Sequence, residues 1–190
     1  MSEMDRLARF RQALVPHLGR HLTPELCAAL EHAAFARIPL AVPLDQKSGR
    51  LQIDGEQRQE YLDFLNAAFG TGHRLDAVRL LTVLRGQCIA AVVMYSRMSR
   101  RSCEMTIATD GQRDWATRST LAAIFNYPFQ HLLLHRVTVV VRADNAPSLT
   151  LCERLGWQRE GCVREAFEDG CHGIVMGMLR PECRWIGDNQ

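Results

Sequence analysis

Ser102 to Thr109 and His135 to Arg142 are β-rich runs, and between them Leu121, Ile124, Phe125, Phe129, Leu132 and Leu133 recur at intervals of three and four. The spacing predicts a helix over residues 117–134, lying on a sheet. Strand, helix and strand in that order leave no hairpin, so the two strands must run parallel with a crossover between them. Pro128 stands inside the helical run. Proline lacks the amide hydrogen and crowds the carbonyl four residues back, so a kink or an early end is expected there. Upstream, Val78 to Leu84, Cys88 to Met98 and Ser102 to Thr109 are separated by Arg85-Gly86-Gln87 and Ser99-Arg100-Arg101, which predicts three consecutive antiparallel strands. Downstream come a short helix from Pro147 to Arg154 and strands near 158–164 and 174–180, joined through Glu168-Asp169-Gly170. The fold class is a mixed α/β sheet whose central strands splay around a crossover helix.

The first part of the chain reads differently. Leu7, Phe10 and Leu14 fall on one helical face, and Thr23-Pro24-Glu25 has the form of a second helix start. Ile38 to Gly49 is broken by prolines and polar residues, with a weakly marked strand at Leu51 to Ile53. Asp54 and Gln57 have capping-box spacing, and Tyr61, Leu62, Leu65 and Phe69 trace a helical face up to Gly70. The organisation expected is a helical extension over 1–50, a domain over 51–185 and a tail over 186–190.

With 190 residues, 47% of them apolar, the chain can bury one good core, and the layout expected is one domain with a terminal extension. A net charge of +2 gives no footprint for a dedicated nucleic-acid binder. The seven cysteines contain no C-x-x-C pair, and several lie in apolar runs, which suits buried free thiols in a reducing interior. The charged first 25 residues lack a signal-peptide core, and no window approaches ~18 apolar residues, so the expectation is a cytoplasmic protein with no membrane partner.

Residues 141–165, VRADNAPSLTLCERLGWQREGCVRE, resemble the second half of the GNAT superfamily of acetyl-CoA-dependent N-acetyltransferases. Asn145, Ser148, Leu155, Gly156, Trp157, Glu160 and Gly161 hold the places of that family's Asn, small residue, Leu-Gly-aromatic and Glu-Gly. NYPFQHLLLHRVTVVV is similar to its crossover helix and fifth strand, and GMLRPECRW to the closing strand of the branch that acetylates ribosomal-protein N-termini. The wording IATDG, W, R, YPF and RVT also resembles GNAT-like proteins of phages and prophages. The resemblance covers residues 78–185.

It implies acetyl-CoA as acyl donor and a coenzyme site built from Ile107, Ala108, Thr109, Gln112, Arg113, Asp114, Trp115, Ala116, Thr117, Arg118, Asn145 and Ser148. Counting back from Arg136 without gaps sets the family's phosphate loop on Gln112 to Thr117, with Trp115 and Thr117 where the family has small residues. The amides of such a turn, at a helix N-terminus, suit a diphosphate, and any residue but proline supplies them. Trp115 is compatible if its indole points away from the groove; an indole inside the groove closes it.

Acetyl transfer to an amine needs a neutral nucleophile, stabilisation of an oxyanion, and a proton for the thiolate. The resemblance sets Glu104 opposite the acceptor amine, as a candidate base. Strand alternation puts Glu104, Thr106 and Ala108 on one face, and a glutamate merely opposite Arg97 reads the same way. Candidate proton donors are Ser148, alternatively a helix-capping residue, and Cys152, which stands where many family members have tyrosine and is alternatively a packed thiol. His17 with His21 and His131 with His135 have i, i+4 spacing but no third ligand nearby, so no metal is expected. Arg97, Arg100 and Arg101 cluster at a hairpin tip, a solvated turn or a contact for an acidic partner or the coenzyme. The acceptor is an unassigned amine, on a protein or a small molecule, and the extension is a candidate groove cover or homodimer contact. A catalytically silent GNAT-shaped binding protein is the alternative.

Overall fold

The computed structural model describes residues 51–187. The predicted helices between Leu7 and Glu25, the His17 and His21 pair and the whole extension over 1–50 lie outside the described residues. Seven strands form one sheet: β1 (Leu51–Asp54), β2 (Arg79–Arg85), β3 (Cys88–Ser96), β4 (Ser102–Thr109), β5 (Arg136–Arg142), β6 (Gln158–Val163) and β7 (Gly173–Leu179). Their order is β1-β2-β3-β4-β5-β7-β6, and only β4 and β5 run parallel. The mixed α/β architecture and the crossover are those expected.

β3 is the middle of the core. Ala90 to Tyr95 are all buried, because a helix covers each face and the strand reads as a continuous apolar run instead of alternating. On one side α1 (Gln59–Phe69) lays Tyr61, Leu62 and Leu65 over Val78, Leu80, Val92, Met94 and Ala108. On the other, α2 (Arg118–Asn126) is tied to the sheet by the Tyr95 hydroxyl, which donates to the Ile124 carbonyl at 2.7 Å. Successive residues Met94 and Tyr95 thus anchor opposite helices.

The expected end at Pro128 is present. α2 stops at Asn126, and Tyr127–His131 form one wide π-type turn with Pro128 in its first positions. The capping box is not. The N-cap of α1 is Arg58, without a side-chain cap bond. Gln57 instead bonds both main-chain groups of Leu80, Oε1 accepting from its N–H at 2.8 Å and Nε2 donating to its carbonyl at 2.9 Å. β1 pairs only with Thr82 to Arg85, so this amide stands in for a strand where β1 no longer reaches.

After β5, Asn145 caps α3 (Ala146–Leu155), its Oδ1 accepting from the Ser148 N–H at 3.1 Å. Gly156 ends the helix at φ 105°, a left-handed conformation that favours glycine. The chain then turns Trp157 into the core, 6.0 Å from the Phe125 ring. Among the described residues no helix is long and apolar enough to cross a membrane.

Candidate functional site

The parallel pair parts. β4 and β5 are joined at Ser102 with Arg136, Cys103 with Val137 and Glu104 with Thr138, and nowhere further along. The main-chain groups bordering the gap follow from strand alternation. Asp110 donates its N–H to the Ala90 carbonyl, while the Arg101 carbonyl accepts from His135 and Arg136. Even-numbered residues of β4 therefore turn their N–H and C=O toward β3, and odd-numbered ones toward β5. The last bridge, Glu104 with Thr138, uses the Met105 N–H on the Thr138 carbonyl, so beyond it the Met105 carbonyl and the main-chain groups of Ile107 and Thr109 face the wedge without a strand partner. On the far side Ala143 donates to the His172 carbonyl and Arg180 to that of His135, so Val140 and Arg142 turn theirs toward the same wedge.

Ile107 and Thr109, which the resemblance set in the coenzyme site, turn their main-chain groups to this gap. Ala108 is a correction: its main chain is turned to β3, and its side chain is 3% exposed in the cluster under α1. Met105, Val140 and Arg142 were not singled out from sequence, because register decides which groups face the gap.

At the open end of the wedge, residues 110–117 lead into α2. Trp115 is 4% exposed. Burial withdraws the indole from the solvent-facing side of the turn, and its carbonyl accepts from the Thr120 hydroxyl and, at 3.0 Å, from the Thr117 N–H. Thr117 is the N-cap of α2, its Oγ1 accepting from the Thr120 N–H at 3.2 Å. The six-residue donor set needs correcting: Gln112 donates to Asp110 Oδ1 at 3.0 Å, Ala116 to the Arg113 carbonyl at 3.4 Å, and Thr117 to Trp115. The amides of Arg113, Asp114, Trp115, Arg118 and Ser119 find no acceptor among the described residues. Nor do the exposed guanidinium groups of Arg113 and Arg118 find a carboxylate there.

Two carboxylates share the loop, and an arginine from β2 holds both. Arg85 Nη1 lies 2.6 Å from Asp110 Oδ2, and its Nε and Nη2 grip the two oxygens of Asp114. These hydrogen bonds hold the Asp110 carboxyl below its usual range and push the Arg85 guanidinium up. With that clamp in place, free amides and two unpaired cations remain at a helix start, a donor set that fits a diphosphate.

At the closed end, two cross-strand pairs, Met94 with Thr106 and Ser96 with Glu104, floor a cavity of about 320 Å³. Ala77, Val78 and His73 wall it, and Arg97 stands at its edge. Arg97 Nη1 is 3.5 Å from Glu104 Oε1, with side chains 80% and 38% exposed. This long contact between solvated groups leaves the carboxylate available. The carbonyl of Met105, the first residue after Glu104, is the first main-chain group to face the wedge. Wedge and cavity therefore meet at Glu104.

Ser148 is half-buried, its N–H engaged by Asn145, whose own side chain is occupied in capping. Burial, with a smaller push from Glu153, raises the Cys152 thiol to about 11. A thiol so placed holds its proton more tightly than an ordinary thiolate of pKa ~8.5 takes one up, which suits packing more than proton donation. Among the described residues no group of three His, Cys, Asp or Glu side chains comes together.

A seven-stranded sheet with one parallel pair, parted beyond its first three residues and crossed over by a helix, is the GNAT acetyltransferase fold. Solved structures carry the same architecture. A variant of the spermidine/spermine N-acetyltransferase of Vibrio cholerae superposes with TM-score 0.59 at 19% identity, covering 70% of this chain and 96% of that one. The same enzyme with CoA and spermine gives 0.57 at 19%, covering 70% and 96%. The ribosomal-protein-S5-alanine acetyltransferase of Vibrio fischeri gives 0.56 at 14%, covering 70% and 95%. No protein-family model matches the chain, and no curated protein matches it.

Proposed function

We propose that this chain transfers the acetyl group of acetyl-CoA to a primary amine by direct attack on the thioester. The observation that carries the reading is the meeting of wedge and cavity at Glu104. A pantetheine arm lying between β4 and β5, its diphosphate on the free amides of the α2 start beside Arg113 and Arg118, ends beside a carboxylate that floors a cavity. Acetyl-CoA supplies the activated acyl carbon. Glu104 takes a proton from the ammonium or from the attacking nitrogen, directly or through water. The nitrogen lone pair forms the C–N bond, the main-chain N–H of Ile107 stabilises the oxyanion, and the C–S bond breaks. The departing thiolate takes a proton from solvent by way of Ser148. Similarity of GMLRPECRW to the ribosomal-protein branch favours a protein N-terminus as acceptor.

A silent GNAT-shaped protein is the second reading, favoured by the three loop amides spent internally. Titration calorimetry with acetyl-CoA separates the two. Binding in the micromolar range, with release of free thiol when amine is added, supports the enzyme. A folded protein that binds nothing at millimolar coenzyme is the silent one. Arg118→Glu abolishes coenzyme binding if the α2 start holds the diphosphate and leaves it unchanged otherwise.

A further inference from the structure

The cavity lining carries one positive and one negative charge, and the turn that follows Ser96 adds two more arginines, which is the wrong polarity for a polycation. Glu104 is the one carboxylate among the cavity residues, and Arg97 stands 3.5 Å from it. Arg97 adopts φ 46°, a left-handed conformation that a side-chain-bearing residue rarely takes and that surrounding structure must enforce. The same turn supplies Arg100 and Arg101, both exposed and without an ion pair among the described residues. The turn itself is fastened: Ser99 donates its N–H to the Ser102 carbonyl at 2.8 Å, and its Oγ accepts from the Arg101 and Ser102 amides at 3.2 and 3.0 Å. Three arginines are thereby carried on one short, hydrogen-bonded turn between β3 and β4, whose adjoining residues Ser96 and Glu104 line the cavity.

We infer, resting on the acetyltransferase reading, that the acceptor is the amine terminus of an acidic polypeptide segment. The cavity, near the lower limit of ~300 Å³ for small-molecule sites, admits the amine and the residue that bears it. Arg100 and Arg101 lie outside the lining and meet what stays outside. Guanidinium groups pair bidentately with carboxylates, so Asp or Glu side chains following the terminal residue complete the match. A polyamine brings second and third ammonium groups against Arg97, Arg100 and Arg101, and like-charge juxtaposition opposes it.

The test uses the full chain with acetyl-CoA and three acceptors: a hexapeptide with a free amine terminus and Asp or Glu at positions two to four, the same peptide with Lys there, and spermidine. Acetylation is followed by mass spectrometry, and peptide binding separately by fluorescence anisotropy. The acidic peptide is expected to show about tenfold higher kcat/KM than the lysine peptide in low salt, the margin shrinking as salt screens it. In the Arg100→Glu/Arg101→Glu variant, with coenzyme binding unchanged, the preference levels or inverts. Spermidine or the lysine peptide acetylated as well as the acidic one overturns the inference, as does a preference that survives charge reversal. So does binding of a single-stranded RNA hexamer with no binding of the acidic peptide. Salt-sensitive binding of the acidic peptide without acetylation of any amine keeps the surface and overturns the acetyltransferase reading instead.

Discussion

Arg85 and Asp114 are 29 residues apart in sequence, yet the guanidinium grips both oxygens of the carboxylate and reaches Asp110 with its remaining nitrogen. The loop before α2 is therefore pinned to β2, and two negative charges beside the proposed diphosphate position are neutralised. Arg85→Met releases both. Coenzyme affinity is expected to fall by about tenfold in low salt, since uncompensated carboxylates repel the anion, whereas Asp114→Asn raises it modestly. Calorimetry on the two variants reads both signs.

Glu104→Gln removes the candidate base without changing shape. At pH 7 the turnover of a peptide amine is expected to fall about a hundredfold, the low end for a positioned base. The loss narrows as pH rises through the ordinary α-amino value of ~8, above which the acceptor deprotonates by itself. A pH profile in which the deficit stays constant assigns Glu104 to structure.

Gly177 lies beneath the pair formed by Glu160 and Arg136. A Cβ at this position meets Glu160 Cδ at 2.6 Å and Oε2 at 2.7 Å, and that carboxylate is held by two nitrogens of Arg136. Gly177→Ala is expected to cost no more than about 1 kcal/mol, because the flexible end of the glutamate swings aside and gives up a partly exposed ion pair, and Glu160→Ala in the same chain makes the added methyl neutral by removing the clash. The arginine holds the Glu160 carboxyl below its usual range, and Arg142 does the same to Asp144 and Asp169. A depressed value means stability that is fully present above the unfolded value of ~3.9–4.3 and lost as pH falls through the folded one. Thermal melts are therefore expected to show little change in the contribution of these pairs between pH 7 and 5 and a falling Tm below about pH 4. The Glu160→Gln variant loses less.

Trp115→Gly gives the loop the residue that the GNAT pattern it resembles has there, and is expected to harm. Removing a buried aromatic costs about 3–5 kcal/mol, equivalent to a Tm drop of roughly 6–20 °C for a chain of this size, and coenzyme affinity does not improve. Tighter coenzyme binding by that variant places the indole in the groove after all.

The cysteines should sort by exposure. Cys88 and Cys162 are exposed, whereas burial raises the Cys103 thiol to about 12 and Cys152 to about 11. A thiol reagent at pH 8 is expected to label Cys88 and Cys162 first and Cys103 only after denaturation, read by mass mapping. Cys152→Ser keeps acetyl transfer within about twofold if the thiol is packing alone; a loss near a hundredfold restores it as proton donor.

The three consecutive antiparallel strands, the crossover and the stop at Pro128 were legible because periodicity and proline act locally. So were Asn145 and Gly156 at the two ends of α3. The gap between β4 and β5 was implied only by resemblance, since pairing that ends after Glu104 has no signature in side-chain alternation. Arg85 was passed over as a turn residue, because its partners come from the far side of β3 and β4. Asp54 and Gln57 misled for the opposite reason: their spacing fits a local cap, but Tyr61 takes the aspartate at 2.5 Å and Leu80 takes the amide.

The wedge is edged by peptide groups, whichever side chains accompany them. Replacing Met105, Ile107 or Thr109 by another residue that tolerates an extended backbone leaves the same polar edge in place, so the letters there are free to drift. A cleft specified this way leaves almost no spelling to recognise, and its outline outlasts the text that once encoded it.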